Sequence, residues 1–201
     1  DRSPAHLLLA ENKPAKARDA YRALTARQVG ADTEYYRLWA WDGVARSELA
    51  LGQKQAAAEA AGRALADVDQ VRARFRSEEV KMGLFSDLQS VFERGVAVYS
   101  EAGDPQRAFE VSEHSRSRAL LDAVGGRAKV SESWGGMVGV AALQRALAAD
   151  ERVVQYHALP DRLMVWVVGP DSIVEKRIAV KRDELTELVE TFRNSIVRGR
   201  R

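Results

Sequence analysis

The sequence predicts an α+β fold that is mainly α, in which several helices precede a small sheet of about three strands and one further helix. Two observations support this prediction. Apolar residues recur at helical spacing from Pro4 to Gly126, and β-branched and aromatic residues gather in short runs from Val153 to Val180. We therefore expect a helical domain at 1–126, a linker at 127–139 and a second domain at 140–201.

Start and stop signals set the bounds of the elements. Proline suits a first helical turn at Pro14 and Pro105, and glycine ends helices at Gly52 and Gly103. The predicted helices cover 4–11, 14–29, 34–51, 54–75, 78–102, 105 to the glycine pair at 125–126, 140–149 and 183–197, and the predicted strands cover 152–159, 163–168 and 173–180.

The helices form a repeating unit of two helices and a turn. A large residue, a glycine at the turn and small residues beyond it recur with the same offsets in two places: Trp41, Ala45, Gly52, Ala57, Ala61, Ala64 and Phe92, Val96, Gly103, Ala108, Ser112, Ser115. A weaker first copy has Asn12 at its turn. This unit resembles the tetratricopeptide repeat, although the distances of 40 and 51 residues between the turns predict elongated helices.

The strand region predicts an unfinished sheet. The continuous apolar run from Leu163 to Val168 is typical of a buried strand, whereas Ile173–Val180 alternates like a half-exposed one. Three strands and one helix do not make a complete domain, and the strand Leu163–Val168 would leave an apolar face and a pairing edge exposed. We therefore expect structure beyond Arg201, or another chain, to cover them.

Helical repeats followed by AFEVSEHSRSRALLDAVGG, LQRAL, RVVQYHALPDRLMVWVV and ELTELVETFR resemble the junction of a CHAT protein. That family has tetratricopeptide-like repeats and a caspase-like, clan CD cysteine-peptidase domain, and the resemblance spans about Phe75 to Phe192. It implies that 140–201 begins a caspase-like domain in a bacterial, cytoplasmic protein. The catalytic His and Cys would lie further along that domain.

The residue inventory argues against catalysis by this chain. It contains no cysteine and three histidines, so the thiolate that caspase-type attack needs is missing. His114 shares its helix with Arg116 and Arg118, which would repel a cation, and His157 fits a structural role on a strand. We expect no metal site and no cofactor, and we predict that the chain itself is not an enzyme.

Two sets of residues are candidate sites. At the junction helix, Glu113 with Arg116 and Arg118 with Asp122 have the spacing of helix-surface ion pairs, and the two arginines are candidates for contacts with the peptidase-like domain. On the helix of the second repeat, Tyr35, Tyr36 and Trp39 are candidates for a groove that binds a peptide.

The leading hypothesis is a protein-interaction and regulatory region of a CHAT-type peptidase, whose repeats recognise a protein or peptide partner. The alternative is a stand-alone peptide-binding scaffold. Nucleic-acid binding is a lesser alternative, because the segment from Lys176 to Arg201 contains eight Lys/Arg but only four Asp/Glu. No apolar run is long enough to span a membrane, so we expect a cytoplasmic protein without a membrane partner.

Overall fold

The computed structural model describes residues 4–27, 30–74, 78–123 and 139–199, and it gives side chains for these except at 31, 69, 72–86, 118–123, 198 and 199. It confirms the α+β, mainly α fold class, with helices followed by a three-stranded antiparallel sheet. The chain forms two compact units, Asp1–Met137 and Val138–Arg201. Most of the predicted linker at 127–139 lies outside the described residues.

The first unit consists of six α-helices and a short 3₁₀ turn, Gly30–Asp32, within its described part. The helices are α1 (Pro4–Ala10), α2 (Pro14–Thr25), α3 (Thr33–Ala50), α4 (Lys54–Arg74), α5 (Glu78–Glu101) and α6 (Pro105–Ala123). Each helix packs against the next one along the chain, and α3 also contacts α1 and α5. The helices therefore stack as three hairpins, α1–α2, α3–α4 and α5–α6.

The same backbone turn closes all three hairpins. Asn12, Gly52 and Gly103 adopt positive φ angles of 57°, 74° and 78°. At Gly52, the N–H of the following residue donates to the carbonyl of Glu48 at 2.9 Å, and the other two turns repeat this bond at 2.9 Å. This pattern is a Schellman motif, which favours glycine because its residue is left-handed. The predicted turn positions are confirmed.

Close approaches at two glycines fix how the hairpins pack. A Cβ atom added to Gly43 in α3 would lie 2.4 Å from the Tyr21 ring of α2. A Cβ added to Gly95 in α5 would lie 3.0 Å from Leu65 and 3.3 Å from Val111. These positions admit the neighbouring side chains only because they lack a side chain of their own.

The second unit contains α7 (Val140–Ala146), β1 (Val153–Ala158), β2 (Leu163–Gly169), β3 (Ser172–Ile178) and α8 (Arg182–Gly199). The antiparallel strands follow the order β1-β2-β3, with Gln155 opposite Trp166 and Trp166 opposite Glu175. One face of the sheet is buried and holds Met164, Trp166 and Val168. Helix α7 packs against β2, and the Gln144 side chain donates to the carbonyl of Gly169 at 3.2 Å.

The other face of the sheet is apolar and open. Val154, Tyr156, Val174 and Ile178 on this face are 47%, 60%, 47% and 48% exposed. Helix α8 also exposes its apolar stripe, which consists of Leu188, Val189, Phe192 and Ile196. Two apolar surfaces of this unit therefore face solvent in the described structure.

Three sequence expectations need correction. Helix α2 was expected to reach Val29 but ends at Thr25, because the Thr25 hydroxyl donates to the Arg22 carbonyl at 2.8 Å and the last turn tightens. Helix α7 was expected to reach Ala149 but ends at Ala146, because a local turn in which Ala148 N–H donates to the Glu151 carboxylate at 2.8 Å replaces it. The run Leu163–Val168 is buried on one face only, so the alternation of the strand outweighs its uniformly apolar composition.

Candidate functional site

A cleft of about 290 Å³ lies between α3 and α5, and residues of α1 and α2 complete its wall. We call it the α3/α5 cleft. It is lined by His6 of α1, Tyr21 of α2, Tyr35, Trp39, Asp42 and Arg46 of α3, and Asp87, Ser90 and Arg94 of α5. Its lining is aromatic and charged, which is typical of a surface that recognises another molecule.

Helical spacing explains why these residues meet. Tyr35, Trp39, Asp42 and Arg46 follow one another at intervals of four, three and four, so they form one stripe along α3. Asp87, Ser90 and Arg94 form a matching stripe along α5. Since α3 contacts α5 directly, the two stripes face the same cleft.

A buried ion pair joins the two stripes. The Arg94 Nε donates to the Asp42 carboxylate at 2.6 Å, and the Asp42 side chain is 6% exposed against 31% for Arg94. Burial raises the pKa of Asp42 above its usual range, while the positive charges of Arg94 and Arg46 act in the opposite direction. The carboxylate therefore depends on Arg94 to remain charged in this setting.

Aromatic side chains form one end of the cleft. The Tyr35 ring meets the Trp39 ring edge-on, with centroids 6.1 Å apart, and meets Tyr36 edge-on at 5.6 Å. The indole N–H of Trp39 is buried, and no hydrogen-bond acceptor reaches it within the described structure. An indole N–H can only donate, so this buried group lacks an acceptor among the described residues.

The wall of the cleft is closely packed where α2 meets α3. Tyr21 is 6% exposed, and its ring occupies the space in which a side chain at residue 43 would lie. The Arg22 guanidinium donates to the Glu48 carboxylate at 2.6 Å, and Arg37 forms a bidentate pair with Asp67 at 2.5 and 2.7 Å. Ion pairs thus tie α3 to α2, α4 and α5, so the α3 stripe has a fixed position.

The predicted groove residues take different places. Tyr35 and Trp39 line the α3/α5 cleft. Tyr36 is 44% exposed and does not line it, because it is one residue from Tyr35 and therefore turned by about 100° around the helix.

At the junction helix, the predicted Glu113–Arg116 pair is present at 2.9 Å on the surface of α6. The Arg118 and Asp122 side chains lie outside the described residues. His114 is 3% exposed and packs edge-on against the Phe92 ring at 5.2 Å, which is a core position. Among the described residues, no three His, Asp or Glu side chains gather in a way that could hold a metal ion.

A second cleft of about 290 Å³ lies on the other side of α3. Arg63 of α4 stacks over the Trp41 ring at 4.6 Å, and Arg22, Glu59 and Ala60 complete much of the lining. Trp41, the large residue of the second repeat unit, is only partly buried. Here the arginine itself covers the aromatic face, so this cleft offers less free aromatic surface.

Sequence reasoning missed the charged half of the α3/α5 cleft: His6, Asp42, Arg46, Asp87 and Arg94. One signal was available, since Asp42 falls between Leu38 and Ala45 on the apolar stripe of α3. A carboxylate inside such a stripe needs a cationic partner. Its partner, Arg94, is 52 residues away, and the sequence alone does not identify it.

The second unit presents the other candidate surface. Strands β1 and β3 form the outer edges of the described sheet, next to the open apolar face. The sequence predicted an exposed pairing edge on the strand Leu163–Val168, but this strand is the central one and pairs with both β1 and β3. Among the described helices, none is both long and apolar enough to cross a membrane.

No family model, no curated protein and no solved structure matches this chain.

Proposed function

We propose that this chain is a protein-interaction region whose helical hairpins bind an extended segment of a partner protein in the α3/α5 cleft. The observation that carries the proposal is the Trp39 indole N–H, which is buried in the cleft wall without an acceptor. A peptide backbone supplies a carbonyl for each residue, and its side chains can pack on Tyr35 and Trp39. Fixed aromatic anchors of this kind bind at low entropic cost.

The resemblance to CHAT proteins extends the proposal to the second unit. We propose that it begins a caspase-like domain and that further β-structure covers the open sheet face and the α8 stripe. Two large apolar side chains support this: Tyr156 on the open sheet face is 60% exposed, and Phe192 on the α8 stripe is 65% exposed. Soluble domains rarely leave large apolar surfaces of this kind open. In this proposal the hairpins regulate or target a peptidase, and this chain carries no catalytic residue.

A tryptophan signal tests the cleft. The chain has four tryptophans, so its indole N–H groups give four assignable NMR signals, and Trp39→Phe identifies that of Trp39. A mixture of random, capped peptides is titrated into the ¹⁵N-labelled chain. We expect the Trp39 signal to move while that of Trp166, which donates to Glu175 at 3.0 Å, stays in place. An unmoved Trp39 signal at saturating peptide would refute peptide binding in this cleft.

The coding sequence tests the peptidase part separately. A caspase-like continuation past Arg201 is expected to bring strands that end in a His and then a Cys within about 250 residues, one domain length. A continuation without that pair would remove the peptidase and leave the alternative, a peptide-binding scaffold. The cleft experiment does not depend on this outcome.

A further inference from the structure

Two further charged residues, Arg46 and Asp87, line the α3/α5 cleft beside the Asp42–Arg94 pair. The positive charge of Arg46 on α3 acts on Asp42, but the Asp42 carboxylate is paired with Arg94, and Asp87 lies on α5. Within the described part of the chain, neither side chain forms an ion pair, although Arg46 is only partly exposed. A cationic and an anionic group therefore remain available to a ligand.

These two charges lie at opposite ends of the cleft. Helix α4 packs against both α3 and α5, and short connections between packed helices make successive helices antiparallel, so α3 and α5 run in the same direction. The Asp42–Arg94 pair sets their register. Arg46 follows Asp42 by four residues, and Asp87 precedes Arg94 by seven. At 1.5 Å per residue, the two charges are about 16 Å apart along the helices.

The Trp39 indole lies between these ends. Trp39 precedes Asp42 by three residues, so it is about 10 Å from Arg46 along α3. An extended peptide advances about 3.3 Å per residue. Its backbone can therefore run past Trp39 while its side chains reach the charges at the two ends.

We infer that the α3/α5 cleft selects a peptide segment with an acidic residue at the Arg46 end and a basic residue about five positions away at the Asp87 end. This inference rests on the proposed peptide-binding function and adds the chemistry of the ligand. The acidic side chain accepts hydrogen bonds from the Arg46 guanidinium, the basic side chain donates to Asp87, and a backbone carbonyl between them accepts from Trp39. The charge pattern also fixes the direction in which the peptide lies.

Selection from a peptide library tests the inference. The intact chain is immobilised and used to select from random peptides of about ten residues, long enough to span both ends. We expect the wild-type chain to enrich an acidic and a basic residue four to six positions apart, about the predicted spacing. Arg46→Glu is expected to replace the acidic preference with a basic one, and Asp87→Lys to replace the basic preference with an acidic one.

Lys16→Glu provides the matched control. Lys16 is exposed on α2 outside both clefts, and its substitution changes the net charge as much as Arg46→Glu does. Its selected sequences should equal those of the wild type. A selected peptide and its Glu→Gln analogue then provide affinities. Arg46→Gln should weaken the Glu peptide about tenfold and leave the Gln peptide unchanged, because a hydrogen bond to a charged group is lost.

The outcomes separate the two ideas. Enrichment of peptides without the spaced charges, or with charges that neither variant alters, would overturn the inference and leave peptide binding intact. A change in only one of the two variants would overturn the two-ended arrangement. Recovery of no peptide above an empty support, together with an unmoved Trp39 signal, would refute the proposed function itself.

Discussion

At the level of single residues, the helices pack closely because glycines leave space for the side chains of their neighbours. Gly43 and Gly62 both lie inside helices, but they face different neighbours. A Cβ at Gly43 would meet three ring atoms of Tyr21 at 2.4–2.5 Å, whereas one at Gly62 would meet only the Tyr99 hydroxyl at 2.8 Å. The first contact is with the body of a buried ring, and the second is with the end of a side chain.

We therefore expect the same substitution to act differently at these two sites. Alanine is the better helix former by about 1 kcal/mol. Gly43→Ala should nevertheless destabilise the chain by about 1–3 kcal/mol, because the Tyr21 ring must move. Gly62→Ala should be close to neutral or slightly stabilising. Urea unfolding monitored by circular dichroism measures both, and equal effects would contradict the packing of Tyr21 on α3.

The buried pair Asp42–Arg94 gives a pH-dependent prediction. Burial raises the pKa of Asp42, so the Asp42 carboxyl group binds its proton more tightly in the folded state than in the unfolded chain. The contribution of Asp42 to stability is therefore greatest at low pH and is lost as the pH rises through its folded pKa. Arg94→Met removes the main opposing charge and should raise that pKa further.

We expect Arg94→Met to lower the free energy of unfolding by about 3 kcal/mol near pH 7, the lower end for a broken buried pair because Arg94 is partly exposed. The loss should be smaller at a lower pH, because protonation of Asp42 removes the buried charge that Arg94 compensates. Arg116→Met breaks the exposed pair with Glu113 and serves as the control, with a loss of about 0–1 kcal/mol at either pH. If Arg94→Met lowers the free energy of unfolding equally at both pH values, the pKa of Asp42 is not raised by burial as described.

At the level of elements, the hairpin turns are determined by their own few residues. Asn12, Gly52 and Gly103 share one conformation, and a Cβ at either glycine would meet no atom within 4 Å. Any cost of a side chain there is therefore conformational and not steric crowding by neighbours. This separates the turns from Gly43, where crowding decides.

Accordingly, Gly52→Ala and Gly103→Ala should each cost about 1 kcal/mol, since a left-handed conformation is unfavourable for a residue with a Cβ. Asn12→Gly should be neutral or stabilise the chain by a few tenths of a kcal/mol, because asparagine tolerates this conformation less well than glycine. Thermal unfolding of the three variants provides the comparison. Destabilisation by Asn12→Gly would show that the Asn12 side chain contributes more than its backbone angle.

The two sides of the small sheet should respond very differently to substitution. Trp166 is fully buried, and Trp166→Ala should cost about 3–5 kcal/mol in the unfolding of its unit. Phe192 is 65% exposed, and Phe192→Ser should cost less than about 0.5 kcal/mol. It should also reduce the fluorescence of a bound hydrophobic dye. If Phe192→Ser lowers the free energy of unfolding by more than about 2 kcal/mol, other residues must cover the apolar stripe of α8 in solution.

For the whole molecule, local signals were sufficient to predict the elements. Gly52, Gly103 and Pro105 mark helix ends, and the Asp104 carboxylate accepts the Arg107 backbone N–H at 2.9 Å as a helix cap should. Such signals act within a few residues, so the sequence displays them directly. The fold class and the turn positions were predictable for this reason.

The candidate site was only half predictable. The aromatic residues Tyr35 and Trp39 stood out because they cluster on one helix. Their charged neighbours did not, because Arg94 reaches Asp42 only after α3, α4 and α5 have packed. Contacts between residues far apart in sequence arise from tertiary packing, which periodicity does not encode. The same limit explains why the one-sided burial of β2 was missed.

The shared turn at Asn12, Gly52 and Gly103 also bears on how such a protein can evolve. Main-chain amides and carbonyls make its hydrogen bonds, so almost any side chains can flank it. Duplication or lengthening of a hairpin would therefore preserve the turn. Sequence changes could then accumulate along the helices and alter binding specificity while the turns keep their conformation.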